Sequence, residues 1–423
     1  MISLSKTSLH VYFAAFSAFY FSYLPFIYII NSIGINKQAI FYTLFSLALL
    51  TIFIYKNFNS KQVKIDTKRK YLILFLYLFF SLYAYISYKT SINYLNDSKM
   101  VLTLAVVNPI FIYLALFNSP QKKILFKFLY LISSIYFIFI FIRWINNDLN
   151  PSSATGFISV FNVMKEGGGE YQNLNKYLGL FSLLIIGFYS FYNLKIKILS
   201  LAMLVLTLYF MMLIGGRGSV VSLAIVFFFW SILTIKDSDY AFPFIFMTSS
   251  IVVIGVIIIN LVDLNFAQLT QDTKLISLQR FLELQGDNDS SSRGFLFSKA
   301  FELFSLNLKN ILFGAGMNYF PVFTGWWGTG SYPHNIILEL LAEYGLLGFS
   351  LFSFPIIYLF YIRYKKLGSF IGSNKIERLA FMVFLYYLIN NLTSGGLRDS
   401  WQFIFILYLL YPTKKLQYTT STK

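Results

Sequence analysis

The sequence predicts an all-α, polytopic integral membrane protein of about 12 transmembrane helices. Two observations predict it. Of the 423 residues, 57% are hydrophobic, 20% aromatic and only 12% charged, more apolar surface than one globular core can hide. Runs of roughly 17 to 25 mostly apolar residues, the length a helix needs to cross a hydrocarbon core, recur from end to end. In lipid a helix satisfies its backbone hydrogen bonds within itself, so helices are the expected spanning elements.

The first apolar run, about Val11 to Ile30, is too long for a signal-peptide core and precedes no convincing small-residue cleavage site, so it reads as a retained first helix. Further spans are expected near 38–55, 71–88, 101–117, 125–143, 177–193, 198–214, 219–235, 242–262, 346–362, 379–393 and 401–411. Residues 1–262 then hold nine spans with an outward loop at 144–176, and residues 335–423 hold three spans and a cytoplasmic tail. Between spans 9 and 10, residues 263–334 form an outward segment of roughly 70 residues, and structureless loops of that length are uncommon. Its amphipathic pieces, such as RGFLFSKAFELFSLNLKNILFG (293–314), lead us to expect a helical cap there. No internal repeat is visible.

Charge orients the chain. With a cytoplasmic N-terminus, the basic residues divide 21 inside to 13 outside and the acidic ones 4 to 13, so the whole formal charge of +17 falls inside. Lys/Arg bias in short loops sets topology. The segments KNFNSKQVKIDTKRK (56–70) and RYKKLGSFIGSNKIER (363–378) and the tail with Lys414 and Lys415 carry it. Juxtamembrane lysines facing anionic lipid account for the positive charge, and nucleic acid is not an expected partner. The absence of cysteine removes disulfides and thiolate metal sites from consideration.

The outward face collects polar groups near membrane depth, where charge is costly and marks a pathway or a site. Arg217 lies in IGGRGSVVS (214–222), a turn between two spans in which Gly215, Gly216 and Gly218 let the backbone bend and a ligand approach. Arg280 and Arg293 lie in the long outward segment, the latter in SSSRGF, and Arg398 lies in TSGGLRDSW. His334, one of only two histidines, opens SYPHNIILELLAEYGLLG (331–348). Asn335, Glu339 and Glu343 follow at helical spacing and share a face, which must look toward a cavity or the arginines. Singly, each has an ordinary reading: a loop arginine anchors a helix, a histidine caps one, and a glutamate pairs with a neighbouring arginine.

Together they suit one chemistry. Guanidinium forks match pyrophosphate oxygens through bidentate, charge-assisted hydrogen bonds. A lipid diphosphate presents its head group at this depth, and if it carries a sugar, cleavage at the anomeric carbon builds charge on the leaving phosphate that positioned arginines stabilise. A histidine beside the incoming hydroxyl can take its proton, worth on the order of 10² to 10⁴ in rate. No cofactor and no divalent ion is called for.

These residues resemble a known family. The motif HNIILELLAEYGLLG, with His-Asn spaced ahead of Gly345 and Gly348, is similar to that of the O-antigen ligases and the related O-antigen polymerases (Wzy type). The preceding NILFGAGMNYF (310–320), SSSRGF and GGRGS resemble the family's Gly-x-Gly segment, loop-entry arginine and inter-helix arginine turn, so the likeness covers roughly 200–362. The resemblance implies a metal-independent, inverting glycosyltransferase in the bacterial cytoplasmic (inner) membrane, working on the periplasmic face, with both termini cytoplasmic. Its donor would be undecaprenyl-diphosphate-linked oligosaccharide, and its partners membrane lipid, polysaccharide, and a chain-length regulator and flippase of the same pathway. His334, Arg217 and Arg293 match the family's functional histidine and arginines. Arg280 and Arg398 have no motif match, and with Asn335 and Glu339 they are candidates for substrate binding.

The expected activity is an O-antigen or surface-polysaccharide polymerase. The alternative is an O-antigen ligase acting on the lipid A core. A lipid-linked oligosaccharide flippase fits less well, because transporters of that kind show paired halves around midplane charges.

Overall fold

A computed structural model describes residues 6–22, 64–90, 103–118, 121–146, 170–189, 193–214, 217–234, 293–325, 332–371, 374–397 and 400–412. The expected spans at 38–55 and 242–262, most of the 144–176 loop, residues 263–292 and the lysine-bearing tail lie outside the described residues.

Everything regular among the described residues is helical. The elements are α1 (Lys6–Phe21), α2 (Lys64–Thr90), a π-helical turn (Thr103–Val107) leading into α3 (Asn108–Asn118), α4 (Lys122–Ile145), α5 (Glu170–Tyr189), α6 (Leu194–Ile214) and α7 (Arg217–Thr234). After the undescribed stretch come α8 (Arg293–Ser305), α9 (Leu308–Phe313), α10 (Phe320–Thr324), α11 (Ile336–Leu367), α12 (Lys375–Thr393) and α13 (Trp401–Leu409). A helix overlaps each of the ten expected spans that have described residues, with α1 covering 11–30 only as far as Phe21. Among the described residues, four segments are long and apolar enough to cross a membrane: Lys68–Ser87, Lys122–Ile142, Leu194–Ile214 and Ile336–Leu367.

The outer surface carries the signature of lipid exposure. On α2, Ile73, Tyr77, Phe80 and Ala84 are buried, while Phe75, Leu78, Phe79, Leu82 and Ile86 are exposed. A helix that is apolar on every side lies in a core or in a bilayer. α4 repeats the pattern, with Leu129, Ile132 and Tyr136 inward and Leu131, Ile135 and Ile138 outward. By contrast, α13 is buried along its whole length and α5 from Leu174 onward. These two form the centre. α12 packs on α5, α7 and α13, and α13 packs on α3.

The packing is aromatic and sparsely polar. Phe21 makes edge or tilted contacts with Tyr177, Tyr387, Trp401 and Phe405, all with ring centroids 5.1–6.2 Å away. The Tyr177 hydroxyl donates to the Phe21 carbonyl at 2.6 Å, closing the end of α1. Buried Asn108 donates to the Tyr77 and Ser400 hydroxyls, tying α3 to α2 and to the entry of α13. Such bonds replace the hydrophobic drive that is missing between helices in lipid.

α11 is the longest of the described helices, and it is not straight. Its 32 residues would reach about 48 Å at 1.5 Å each, well beyond a hydrocarbon core of about 30 Å. The break falls at Gly345, whose φ of +64° and ψ of −170° suit glycine alone. The Gly-Ala-Gly strap of residues 314–316 fills the bend: the Ala315 amide donates to the Ala342 carbonyl and the Gly316 amide to the Glu343 carbonyl, both at 3.0 Å. A Cβ on Gly345 would sit 2.5 Å from the Gly314 nitrogen and 2.7 Å from the Leu312 carbonyl, so the strap reaches the helix only because position 345 is bare.

Candidate functional site

The two ends of α12 organise the polar groups. At its N-terminal end, Glu377 accepts from Lys122 at 2.6 Å through one carboxylate oxygen and from Arg363 at 2.7 Å through the other. Arg363 is fully buried and also donates to the carbonyls of Phe370, Ile371 and Leu410. Nearby, the Lys70 and Lys366 ammonium groups lie 5.4 and 5.0 Å from the Tyr411 ring centroid. Lys70, Lys122, Arg363, Lys366, Glu377 and Tyr411 thus gather at one end of the bundle.

The other end of α12, 19 residues or about 28 Å away, gathers the segments expected on the opposite face. Ser394, the residue that closes α12, is the hub. Arg293, the first residue of α8, donates to the Ser394 hydroxyl at 2.9 Å. Tyr332 donates its hydroxyl to the Ser394 carbonyl at 3.0 Å. The Tyr332 ring lies against the His334 ring, with centroids 4.1 Å apart. Gly218, the second residue of α7, backs directly onto the serine: a Cβ there would collide with the Ser394 hydroxyl and reach 3.1 Å from that of Thr393. Asn335 donates to the Leu392 carbonyl at 2.9 Å, bringing the start of α11 to the same place.

Three helix N-termini, those of α7, α8 and α11, therefore converge where α12 ends. Each N-terminus carries roughly half an elementary positive charge, and such ends bind anions readily. The opposing negative end of α12 is partly neutralised locally, because Asn335 and Tyr332 take two of its last carbonyls. The arrangement can hold an anion beside an imidazole.

His334 itself occupies left-handed backbone space, with φ of +55°. A non-glycine residue there costs about 1–3 kcal/mol and persists where the surroundings impose it. Pro333 precedes it, and Asn335 follows as the N-cap of α11, its side-chain oxygen accepting from the Ile337 and Leu338 amides at 2.9 and 3.1 Å. The imidazole is therefore aimed by a rigid Pro-His-Asn entrance.

The two glutamates hold loops. The Glu339 carboxylate accepts from the Leu397 amide at 2.8 Å, fixing the turn after Ser394. The Glu343 carboxylate accepts from the Asn318 amide at 2.9 Å and the Phe320 amide at 3.3 Å, fixing the strap ahead of α10. Both are buried, so the polar face of α11 is directed at backbone amides of the loops beside it.

Arg293 reaches Ser394 directly and His334 is linked to it through Tyr332, while Glu339 and Asn335 brace the same corner. For Arg217, the backbone opens α7 at this corner and the side chain lies outside the described residues; Arg280 and Arg398 lie outside them altogether. Sequence reasoning missed Tyr332 and Ser394. The one signal for each was adjacency, in Tyr-Pro-His and in Thr-Ser-Gly-Gly. Among the described residues, no cluster of three or more His, Asp or Glu side chains is placed to hold a metal ion.

Residues 202–353 match the family model described as O-antigen ligase (Wzy_C), which bears out over that stretch the resemblance read from the motifs. The matched stretch contains Arg217, Arg293 and His334 and ends within α11. No curated protein matches the chain.

Proposed function

We propose that this chain is a membrane polysaccharide polymerase that joins lipid-diphosphate-linked repeat units by metal-independent, inverting glycosyl transfer. The observation that carries the reading is that Arg293 and His334, both within the segment that matches the O-antigen ligase family, are tied to Ser394, Arg293 directly and His334 through Tyr332, amid three helix N-termini. Pyrophosphate needs positive charge and directed donors, and a glycosyl acceptor needs a base beside its hydroxyl.

In this reading the diphosphate of an undecaprenyl-type carrier sits between Arg217, Arg293 and the N-terminus of α7. The acceptor hydroxyl faces His334. Its oxygen attacks the anomeric carbon from the side opposite the phosphate, the new C–O bond forms as the C–O bond to phosphate breaks, and the imidazole takes the hydroxyl proton. The released diphosphate keeps the bonding pair, and the arginines stabilise that charge as it develops.

The Ser394 end of the bundle is then the periplasmic face and the Glu377 end the cytoplasmic one. Support comes from the lysines and arginines at the Glu377 end, since basic residues favour the inside. Twelve spans complete this topology.

The matching family model leaves a second reading on an equal footing, transfer of the finished glycan to a lipid A core. The product separates the two. In a strain lacking this gene, surface glycan reduced to core plus one repeat unit identifies a polymerase, and unattached lipid-linked polymer identifies a ligase. Purified protein given lipid-diphosphate repeat units should also produce a ladder of longer glycans without added nucleotide or metal. Substrate movement across the membrane with no new glycosidic bond would sink both enzyme readings.

A further inference from the structure

We propose that α8 and α9 form a shelf embedded in the lipid of one leaflet, with the acyl-chain and glycerol layer of phospholipid as its occupant. One face of this pair packs inward: Leu296, Ala300 and Leu303 are buried with Phe320 and Ala342. The other face presents Phe301 at 61% and Leu308 at 70% exposure, with Leu306, Leu312 and Phe313 also exposed. These side chains are displayed by an ordered turn. Asn307 caps α9 by accepting from the Asn310 amide at 2.8 Å, and Asn310 donates to the Leu303 carbonyl at 3.0 Å.

The depth of the shelf is fixed by Tyr83. Its hydroxyl donates to the Phe313 carbonyl at 2.7 Å and to the Tyr344 carbonyl at 3.1 Å, pinning the end of α9 to the bend of α11. Tyr83 belongs to the spanning segment Lys68–Ser87, four residues or about 6 Å from its end. A helix end bonded to that tyrosine lies at the level of the span. On the far side of the bend, Leu346 and Leu347 of α11 are exposed and continue the apolar surface into the bilayer.

The charges fit the same placement. Glu302 is paired with Lys299 at 2.8 Å, which leaves exposed Lys309 as the unbalanced charge of α9. A lysine beside an apolar face lays its stem along the acyl boundary and its ammonium among lipid phosphates. Water against five large apolar side chains would be the costlier alternative.

Because the chain contains no cysteine, a single introduced thiol can be labelled without background. The full-length Leu308→Cys and Phe301→Cys variants, carrying a nitroxide, would be placed in phosphatidylethanolamine and phosphatidylglycerol vesicles and compared with Phe75→Cys on the outward face of α2. The expected result is that both shelf labels, like the α2 label, relax with dissolved oxygen and resist a water-soluble nickel chelate. Ready quenching by the chelate would place the shelf in water and overturn the proposal. Protection from both reagents would mean a protein partner or a second copy covers it, and would overturn it equally. The readout needs no enzymatic activity, so its failure and that of the polymerase reading are distinguishable.

Discussion

Arg293 donates a 2.9 Å hydrogen bond to the Ser394 hydroxyl, so the first residue of α8 is held by the residue that closes α12, 101 positions later. This bond joins the start of α8 to the turn between α12 and α13. The Ser394 carbonyl is meanwhile held by Tyr332, two residues from His334.

Ser394→Ala removes the acceptor of a charged donor, an interaction worth about 1.5–3 kcal/mol. If Arg293 holds the diphosphate, glycan extension should fall about 10- to 100-fold with the protein at its usual level in the membrane. Ladder formation in vitro measures this. An unchanged rate would show that Arg293 is aimed by other contacts.

Arg217→Lys keeps the charge and loses the planar fork. Most activity should disappear while membrane insertion is retained. Normal chain lengths on a glycan gel would count against diphosphate binding at the start of α7.

Tyr332 divides its role between ring and hydroxyl. Tyr332→Phe loses one neutral hydrogen bond, about 0.5–1.5 kcal/mol, and should cost at most about tenfold in rate. Tyr332→Ala also removes the ring beside the imidazole and should approach the loss seen in His334→Ala. Equal rates for the Phe and Ala variants would mean that the stack does not orient the histidine, and near-normal activity of His334→Ala would reduce that residue to a cap.

Gly345→Ala forces a side chain into glycine-only backbone space, at a cost of about 1–3 kcal/mol, and against the Gly314 strap. Thermal unfolding in detergent should shift clearly downward. A melting point equal to that of the parent would show that α11 straightens without penalty.

Glu377→Ala strands two buried cations, Lys122 and Arg363, and breaking one partner of a buried ionic group costs about 3–5 kcal/mol. Yield and melting temperature should drop sharply. Because the cluster lies at the far end of α12 from Ser394, whatever protein remains folded should keep its specific activity.

The sequence by itself determined the class and the candidate chemistry. Composition made the chain a helical membrane protein, since a bilayer leaves helices as the natural way to satisfy buried backbone, and hydropathy located the helices now seen over ten expected spans. His334 and Arg293 stood out because ionisable groups are rare and expensive beside apolar runs. Asn335, Glu339 and Glu343 were legible as one polar face, because helical spacing is local. Their partners were not: that Glu339 would hold the Leu397 amide and Glu343 the Asn318 amide depends on loops 25 to 58 residues away in the chain. Tertiary structure alone decided that Ser394 and Tyr332, an ordinary helix-end serine and a tyrosine before proline, would join the arginine to the histidine. The physical reason is that a hydropathy pattern records how each residue meets lipid or core, one helix at a time. Which helix ends coincide is settled by packing among helices, and glycine at 218 allowed the close approach to Ser394 at this corner, as glycine at 345 allowed that of the strap to the bend of α11.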